Sequence, residues 1–290
     1  MNLAEVLIAV VAMIALGLGL ATVLAVADKG LYVFINPRIS QVEEMLPGSN
    51  CGACGQPGCQ AFAEEVVAGN AAPGECTPSS EENTEAIAEL LGVDVGGDEK
   101  QVARLACAGG TNVARQRARY EGLQTCRAAA LVAGGGKGCA WGCLGLEDCM
   151  RVCTFDSIVM DAALLPVVDE DLCTACGDCV DVCPKGLFSL QPVSHQLWVA
   201  CKNEAFDQEA EAECEVACTA CGLCAQDAPE GVVRMLDNLA VVDYARDHRT
   251  AKAAIQRCPT GAIVWLSSRQ GALKGIKAKR IVRQTALPIG

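Results

Sequence analysis

Twenty cysteines in 290 residues constrain this chain more than any other feature. They are grouped, and four of the groups look alike. Each leads into a short turn and an apolar pair. Cys139, Cys143, Cys149 and Cys153 run into residues 154–159, and Cys173, Cys176, Cys179 and Cys183 run into residues 184–188. Cys218, Cys221 and Cys224 run into residues 228–233, with Ala228 where a fourth cysteine would stand. The last group keeps only Cys258, before Pro259.

Aligning Val167-Val168-Asp169 with Val241-Val242-Asp243 sets Asp247, Thr250 and Ala253 opposite Cys173, Cys176 and Cys179. The later pair of groups therefore lacks cysteine at Ala228, Asp247, Thr250 and Ala253. In two-cluster ferredoxins the fourth cysteine of each run ligates the other cluster. Under that crossed wiring the four absences delete one whole site and leave one complete. Uncrossed wiring would break both. The pattern thus predicts a [4Fe–4S] site of Cys218, Cys221, Cys224 and Cys258. The same rule predicts two clusters in the earlier pair: Cys139, Cys143 and Cys149 with Cys183, and Cys173, Cys176 and Cys179 with Cys153.

Disulfides and zinc are the competing uses of so many thiols. Disulfide frameworks suit short secreted scaffolds. All-thiolate zinc sites are usually two separated C-x-x-C knuckles. Three cysteines two residues apart, followed by Cys-Pro, is an iron–sulfur spacing. His195 and His248 are the only histidines, which leaves little for mixed zinc sites, and both are expected as ordinary surface residues. With five Phe, three Tyr and three Trp, large aromatic cores are not expected. Small domains of this kind need a metal or disulfide staple, so the metal-free chain should fold poorly. The formal charge of -12 opposes binding to nucleic-acid phosphates.

Residues 6–27 carry no charge and are nearly all apolar. A helix of roughly 20 such residues spans a bilayer. A cleaved signal peptide is the alternative, given Ala25-Val26-Ala27, but the basic n-region is missing. Lys29 and Arg38 follow the span, so the positive-inside bias places the bulk of the chain in the cytoplasm. Gly17 and Ala21 form a small-xxx-small pair that could pack on a partner helix. Residues 28–47 read as a tether. Then Cys51, Cys54, Cys59 and Cys76 form C-x2-C-x4-C-x16-C, with a helix expected over 60–68. Glycines there permit the tight turns that let thiols converge. This predicts a fourth [4Fe–4S] cluster, a structural zinc knuckle being the alternative. The acidic stretch Glu81 to Glu99, Asp98 included, reads as a solvated amphipathic helix and a Gly-rich linker.

Cys107, Cys126, Cys201 and Cys214 stand outside these motifs. Sequence leaves them as buried thiols, a pair bond or unusual ligands. Gly134-Gly135-Gly136 lacks Walker spacing and reads as a flexible loop. Strands are expected over 164–168, 197–200 and 239–242. The expected architecture is α+β: a transmembrane anchor (1–28), a small [4Fe–4S] domain with its tether (29–99) and a linker or helical segment (100–138). A ferredoxin-like domain of the bacterial 2[4Fe–4S] type (139–200) follows, then a degenerate ferredoxin-like copy with one cluster lost (201–266). Residues 267–290 form a basic tail, either a dock for an acidic partner or anionic lipid or a disordered end.

An anchor helix, the Cys51–Cys76 motif and tandem ferredoxin motifs together resemble the B subunit of the Rnf (Rsx) ion-translocating oxidoreductase complex. Cys51-Gly52-Ala53-Cys54-Gly55-Gln56-Pro57-Gly58-Cys59 is the most specific stretch, and Gly138-Cys139-Ala140-Trp141-Gly142-Cys143-Leu144-Gly145-Leu146 is also similar. The resemblance implies a single-pass protein of the inner (cytoplasmic) membrane, its soluble part on the cytoplasmic side. It implies that the four [4Fe–4S] clusters read from the residues take electrons from soluble reduced ferredoxin. Other membrane and peripheral subunits of the complex would be the partners, with NAD reduction coupled to Na⁺ or H⁺ translocation. The second ferredoxin-like segment departs from the simplest members. The chain offers no GxGxxG after a strand and no evident covalent flavin site. One uncharged helix with Glu5 at its edge makes no ion path. No independent catalytic site is therefore expected. Two other classes fit the residues: a polyferredoxin subunit of a hydrogenase or formate-type membrane complex, and a redox sensor or zinc-stapled scaffold.

Overall fold

A computed structural model describes residues 3–30, 36–97, 99–267 and 270–290. Asp98, Arg269 and positions 31–35 of the expected tether lie outside the described residues. The first element, α1 (Leu3–Gly30), holds an 18-residue stretch, Val10–Ala27, of mean hydropathy 2.5, none of it buried against protein. Leu16, Met13 and Val26 are among its exposed side chains. A helix apolar on every side and uncovered has the surface that a bilayer covers.

The tether expectation is overturned for residues 37–45. They form α2 (Pro37–Met45), started by Pro37 and by the Asn36 side chain, which accepts from the Arg38 N–H. Val42 of α2 is fully buried against Phe62, Ala63 and Val66 of α3 (Cys59–Ala68). Apolar spacing, rather than linker composition, decides this segment. The acidic stretch forms α4 (Glu81–Leu91), capped by the Ser80 hydroxyl, with Ile87 and Ala88 inward and Glu85 and Glu89 outward. Cys76 and Ile87 complete this small core. The glycines after α4 are not slack linker. A Cβ on Gly97 would fall 2.2 Å from the Gly74 carbonyl carbon, so only glycine lets the two backbones touch.

Beyond this domain one order of elements occurs twice. In the first unit, β1 (Gln101–Leu105) comes first and is followed by α5 (Cys126–Leu131) and α6 (Asp148–Val152). A hairpin of β2 (Ile158–Met160) and β3 (Pro166–Val168) leads to α7 (Asp178–Val182) and β4 (Phe188–Pro192). β4 pairs antiparallel with β1, Leu105 opposite Phe188. In the second unit, β5 (Leu197–Val199) precedes α8 (Asp207–Glu213) and α9 (Leu223–Asp227). The hairpin of β6 (Val233–Leu236) and β7 (Leu239–Val242) turns on Asp237 and Asn238, both at positive φ (47° and 62°). Such pairs match the twist of a two-residue hairpin. A 3₁₀ segment, Ala251–Ile255, takes the place of α7, and β8 (Ile263–Ser267) pairs with β5. The correspondence reaches single hydrogen bonds: Ala106 N–H donates to Leu187 O and Ala200 N–H to Ala262 O, each just after a first strand and just before a last one.

Several expectations change here. Residues 101–105 are strand rather than linker, because they pair with β4 and bury Val102 and Ala103 in a core shared with Cys149, Ile158 and Cys173. The glycine run is a tight turn, with Gly134, Gly135 and Gly136 at positive φ (64°, 63° and 81°). The histidines are not ordinary surface residues. His248 is buried, and His195 stacks on Tyr244 with ring centroids 3.8 Å apart. The basic tail is folded: β9 (Gly271–Leu273) extends β8, and Arg283 pairs with Glu215 at 2.9 Å. Lys279 lies near the same carboxylate at 3.9 Å, and Leu287 N–H donates to Thr111 O, so the tail is a strap across both units.

Replacing Val42 by Ala is expected to cost about 2 kcal/mol of stability in the small domain. Thermal unfolding with limited proteolysis at residues 36–97 checks this, since a true tether would tolerate the change.

Candidate metal centres

Three short helices carry one device. α6, α7 and α9 each place a buried cysteine at their second position: Cys149, Cys179 and Cys224. Each is preceded by a left-handed cap, Glu147 (φ 67°), Gly177 (φ 91°) or Gly222 (φ 70°). A second left-handed residue stands just upstream: Gly145 (φ 69°), Ala175 (φ 58°) or Ala220 (φ 57°). Holding alanine there costs on the order of 1 kcal/mol, strain of the kind kept where a site needs it. Alternating handedness turns backbone N–H groups into a concavity that suits an anion.

These turns align Cys173-Thr174-Ala175-Cys176 with Cys218-Thr219-Ala220-Cys221, and both with Cys143-Leu144-Gly145-Leu146. Cys143, rather than Cys139, therefore takes the leading place of the first cradle, and Leu146 stands where the middle cysteine would be.

Three predicted sets of four meet around one cavity each. Cys153, Cys173, Cys176 and Cys179 line an atom-free space of about 310 Å³ with Ile158 and Leu190. Cys218, Cys221, Cys224 and Cys258 line one of about 320 Å³ with Met235 and Ile263. Cys51, Cys54, Cys59 and Cys76 line one of about 270 Å³ with Phe62 and Pro78. The lone Cys258 is brought in by its neighbour Arg257, which grips the Asp227 carboxylate at the end of α9 through two nitrogens (2.7 and 2.8 Å).

The fourth predicted set, Cys139, Cys143, Cys149 and Cys183, is not assembled. Cys139 lines another cavity, with Cys107, Cys201 and Cys214. Cys126 instead lies close to Cys143, Cys149 and Cys183. It opens α5, which Arg127 N–H ties to the Asp148 carboxylate at 3.2 Å. Backbone N–H groups of Asp148 and Leu146 donate to its sulfur, and the thiol of Cys183 lies near. It thus fills the position that Leu146 vacates. The equal spacing of Cys143–Cys149 and Cys218–Cys224 carried the signal for Cys143. Nothing along the chain shows that Cys126 returns to this corner.

The electrostatics group most of the sulfurs in the same way, while Cys143, pushed up to about 12 by burial, feels Cys107 ahead of Cys126. Burial, then Cys54, Cys59 and Cys51, push the Cys76 thiol up to about 12. Burial, then Cys173, Cys176 and Cys153, do the same to Cys179, also to about 12. Cys224 reaches about 12 through burial and then Cys218, Cys258 and Cys221. Cys149 reaches about 12 through burial and the nearby Cys126 and Cys183. Such thiols are neutral at pH 7 and become thiolates only as a metal displaces their protons. Cys153 is the exception. Burial raises it, but the Ser157 hydroxyl (3.2 Å) and backbone N–H groups of Phe155, Ser157 and Ile158 outweigh that and hold it low.

The donor sets fit an iron–sulfur cubane, which bonds one thiolate at each of four corners. A zinc ion with Zn–S bonds of about 2.3 Å needs four sulfurs within about 4 Å of one another. Among the described residues no group of three or more Cys, His, Asp or Glu takes such a single-ion arrangement.

Comparison with known proteins agrees with this chemistry. Residues 46–78 match the family described as "Putative Fe-S cluster", and residues 165–188 match a "4Fe-4S binding domain". The chain is 41% identical to the B subunit of the Na(+)-translocating ferredoxin:NAD(+) oxidoreductase complex of Acetobacterium woodii, over 83% of this chain and 72% of that protein. It is 37% identical to the proton-translocating counterpart of Clostridium ljungdahlii, over 89% and 92%. It is 34% identical to the B subunit of the ion-translocating oxidoreductase complex of Methanosarcina acetivorans, over 90% and 99%.

Cys258→Ala should remove about four irons per chain and leave the other centres intact, as iron analysis and EPR would show. Ser157→Ala removes a hydrogen bond to the Cys153 sulfur, so the reduction potential of that centre alone should fall. A redox titration that finds no centre moved would refute this role for Ser157.

Proposed function

The chain belongs to the family of B subunits of ion-translocating ferredoxin:NAD(+) oxidoreductase complexes, and on that footing we propose how its residues serve the electron-transfer role. The observation that carries the reading is the repetition of four thiols around one small apolar cavity, in the small domain and in both repeated units. The proposed ligand sets are Cys51/Cys54/Cys59/Cys76, Cys126/Cys143/Cys149/Cys183, Cys153/Cys173/Cys176/Cys179 and Cys218/Cys221/Cys224/Cys258. A [4Fe–4S] cluster held there exchanges single electrons at a potential set by hydrogen bonds to sulfur, charge and burial. The protein supplies those settings. Backbone N–H groups aim at the thiolates, while Phe62, Ile158, Leu190 and Ile263 keep water from them. The two units follow the plan of tandem ferredoxin-like domains, the second short of one site.

The layout supports a path. An open cleft with about 1730 Å³ of atom-free space has Cys54 and Cys76 on one wall and Ala175 and Leu190 on the other. The small domain's centre and the Cys173 centre therefore face a common gap. Bidentate Arg257–Asp227 and the Trp198 indole, which donates to Leu105 O at 2.9 Å, hold the later centres in place. Soluble reduced ferredoxin is the proposed donor. NAD reduction and ion movement fall to other subunits of the complex. The helix α1 anchors the chain in the cytoplasmic membrane, with Lys29 and Arg38 placing the soluble part on the cytoplasmic side. One relative is named for Na⁺ and another for protons, so family membership leaves the ion open.

Anaerobically purified protein should hold at least about sixteen irons and sixteen sulfides per chain, with EPR signals that appear on mixing with reduced ferredoxin. Zinc in place of iron, or iron that ferredoxin does not reduce, would overturn the reading.

A further inference from the structure

The ligand sets above leave Cys107, Cys139, Cys201 and Cys214 without a role. They line one cavity, whose atom-free volume of about 320 Å³ matches those of the predicted centres. We propose that these four thiols hold a fifth [4Fe–4S] cluster at the seam between the two repeated units. The proposal rests on the iron–sulfur reading of the other centres and extends it to the last four cysteines.

The repeat places the first two. Cys107 stands two residues past β1, which ends at Leu105, and Cys201 two residues past β5, which ends at Val199. They are equivalent positions in the two units. Ala108 N–H donates to Ala200 O at 3.0 Å, which draws the two strand ends together. The other two thiols arrive from the segments between strand and first cradle. Cys214 follows α8 and is paired with Ala114 by a β-bridge. Cys139 is set by Gly138 N–H, which donates to Arg115 O at 2.9 Å, next to that bridge. A Cβ on Gly109 would lie 3.0 Å from the Cys214 sulfur and 3.7 Å from that of Cys107, so both sulfurs close over this glycine.

The surroundings suit thiolates. Asn203 and Cys218 each donate a backbone N–H to the Cys201 sulfur at 3.3 Å. Cys143 N–H donates to the Cys107 sulfur at 3.4 Å. Lys137 and Lys202 line the cavity. The Lys137 ammonium is fixed by the carbonyls of Gly109 and Cys143. A cluster with four thiolates carries net negative charge, and fixed cations and N–H donors in a low-dielectric wall offset it.

Position gives the site its function. The N–H of Cys143 reaches into this cavity from the centre of the first unit, and that of Cys218 from the centre of the second. The seam cluster is the stepping stone between them, taking one electron from one neighbour and handing one to the other. This also accounts for a second unit that keeps one site: the seam serves in place of the site deleted at Ala228, Asp247, Thr250 and Ala253.

Iron and sulfide counts on the full-length protein, purified without oxygen, test this. Wild type should hold about twenty of each, and Cys201→Ala and Cys214→Ala each about sixteen. Lys137→Met should keep the full iron content and lower the potential of one or two centres in an EPR-monitored titration. A wild-type content of about sixteen irons with ferredoxin reduction intact would overturn the seam site alone. So would unchanged iron in both cysteine variants. If the variants fail to fold, the wild-type count decides by itself.

Discussion

Gathering four thiols in a dry pocket is unfavourable until iron arrives. Cys76, Cys149, Cys179 and Cys224 are each pushed to about 12 by burial and by neighbouring sulfurs. The remaining architecture is arranged around that constraint. Few large side chains are fully buried, Phe62, Ile87, Leu197 and Ile263 among them, and cysteines fill much of each core. Metal–thiolate bonds must supply the cohesion that a thin apolar core lacks.

Backbone geometry is the second layer. The cradles of α6, α7 and α9 hold their sulfurs through left-handed turns, two of them on alanine. Those turns direct amide dipoles at the site without using side chains, so the sequence around each cysteine can stay small. The same economy explains the acidic exterior. Carboxylates pair on the surface, as in Asp227–Arg257 and Glu215–Arg283, and of the four-thiol cavities only that of Cys176 has one in its lining, Asp178, 3.6 Å from the Cys176 sulfur.

Much of this was legible along the chain. Regular spacing grouped three sets of cysteines that meet at one cavity each, because three of the four sit in one local turn and the fourth follows in the same motif or in a repeated run. The apolar stretch over 6–27 was equally plain, and the described helix holds Val10–Ala27 of it as a candidate span. What spacing could not show was exchange between turns. Leu146 breaks the first cradle, and Cys126 comes close to Cys149 and Cys183 from a helix tied to Asp148. Cys139 looks like part of its nearest run and faces elsewhere. The strap of residues 271–290 read as a docking tail or a disordered end because its partners, Glu211, Glu215 and Thr111, are remote in sequence.

The linear chain thus establishes the chemistry: thiols in iron–sulfur spacing and an apolar helix. These depend on residue type and short-range order, which a string of residues carries in full. Which thiols meet at one cavity depends on the tertiary fold. That choice is made where β1 and β5 end side by side and bring Cys107 next to Cys201, a meeting that depends on long-range strand pairing rather than on local spacing.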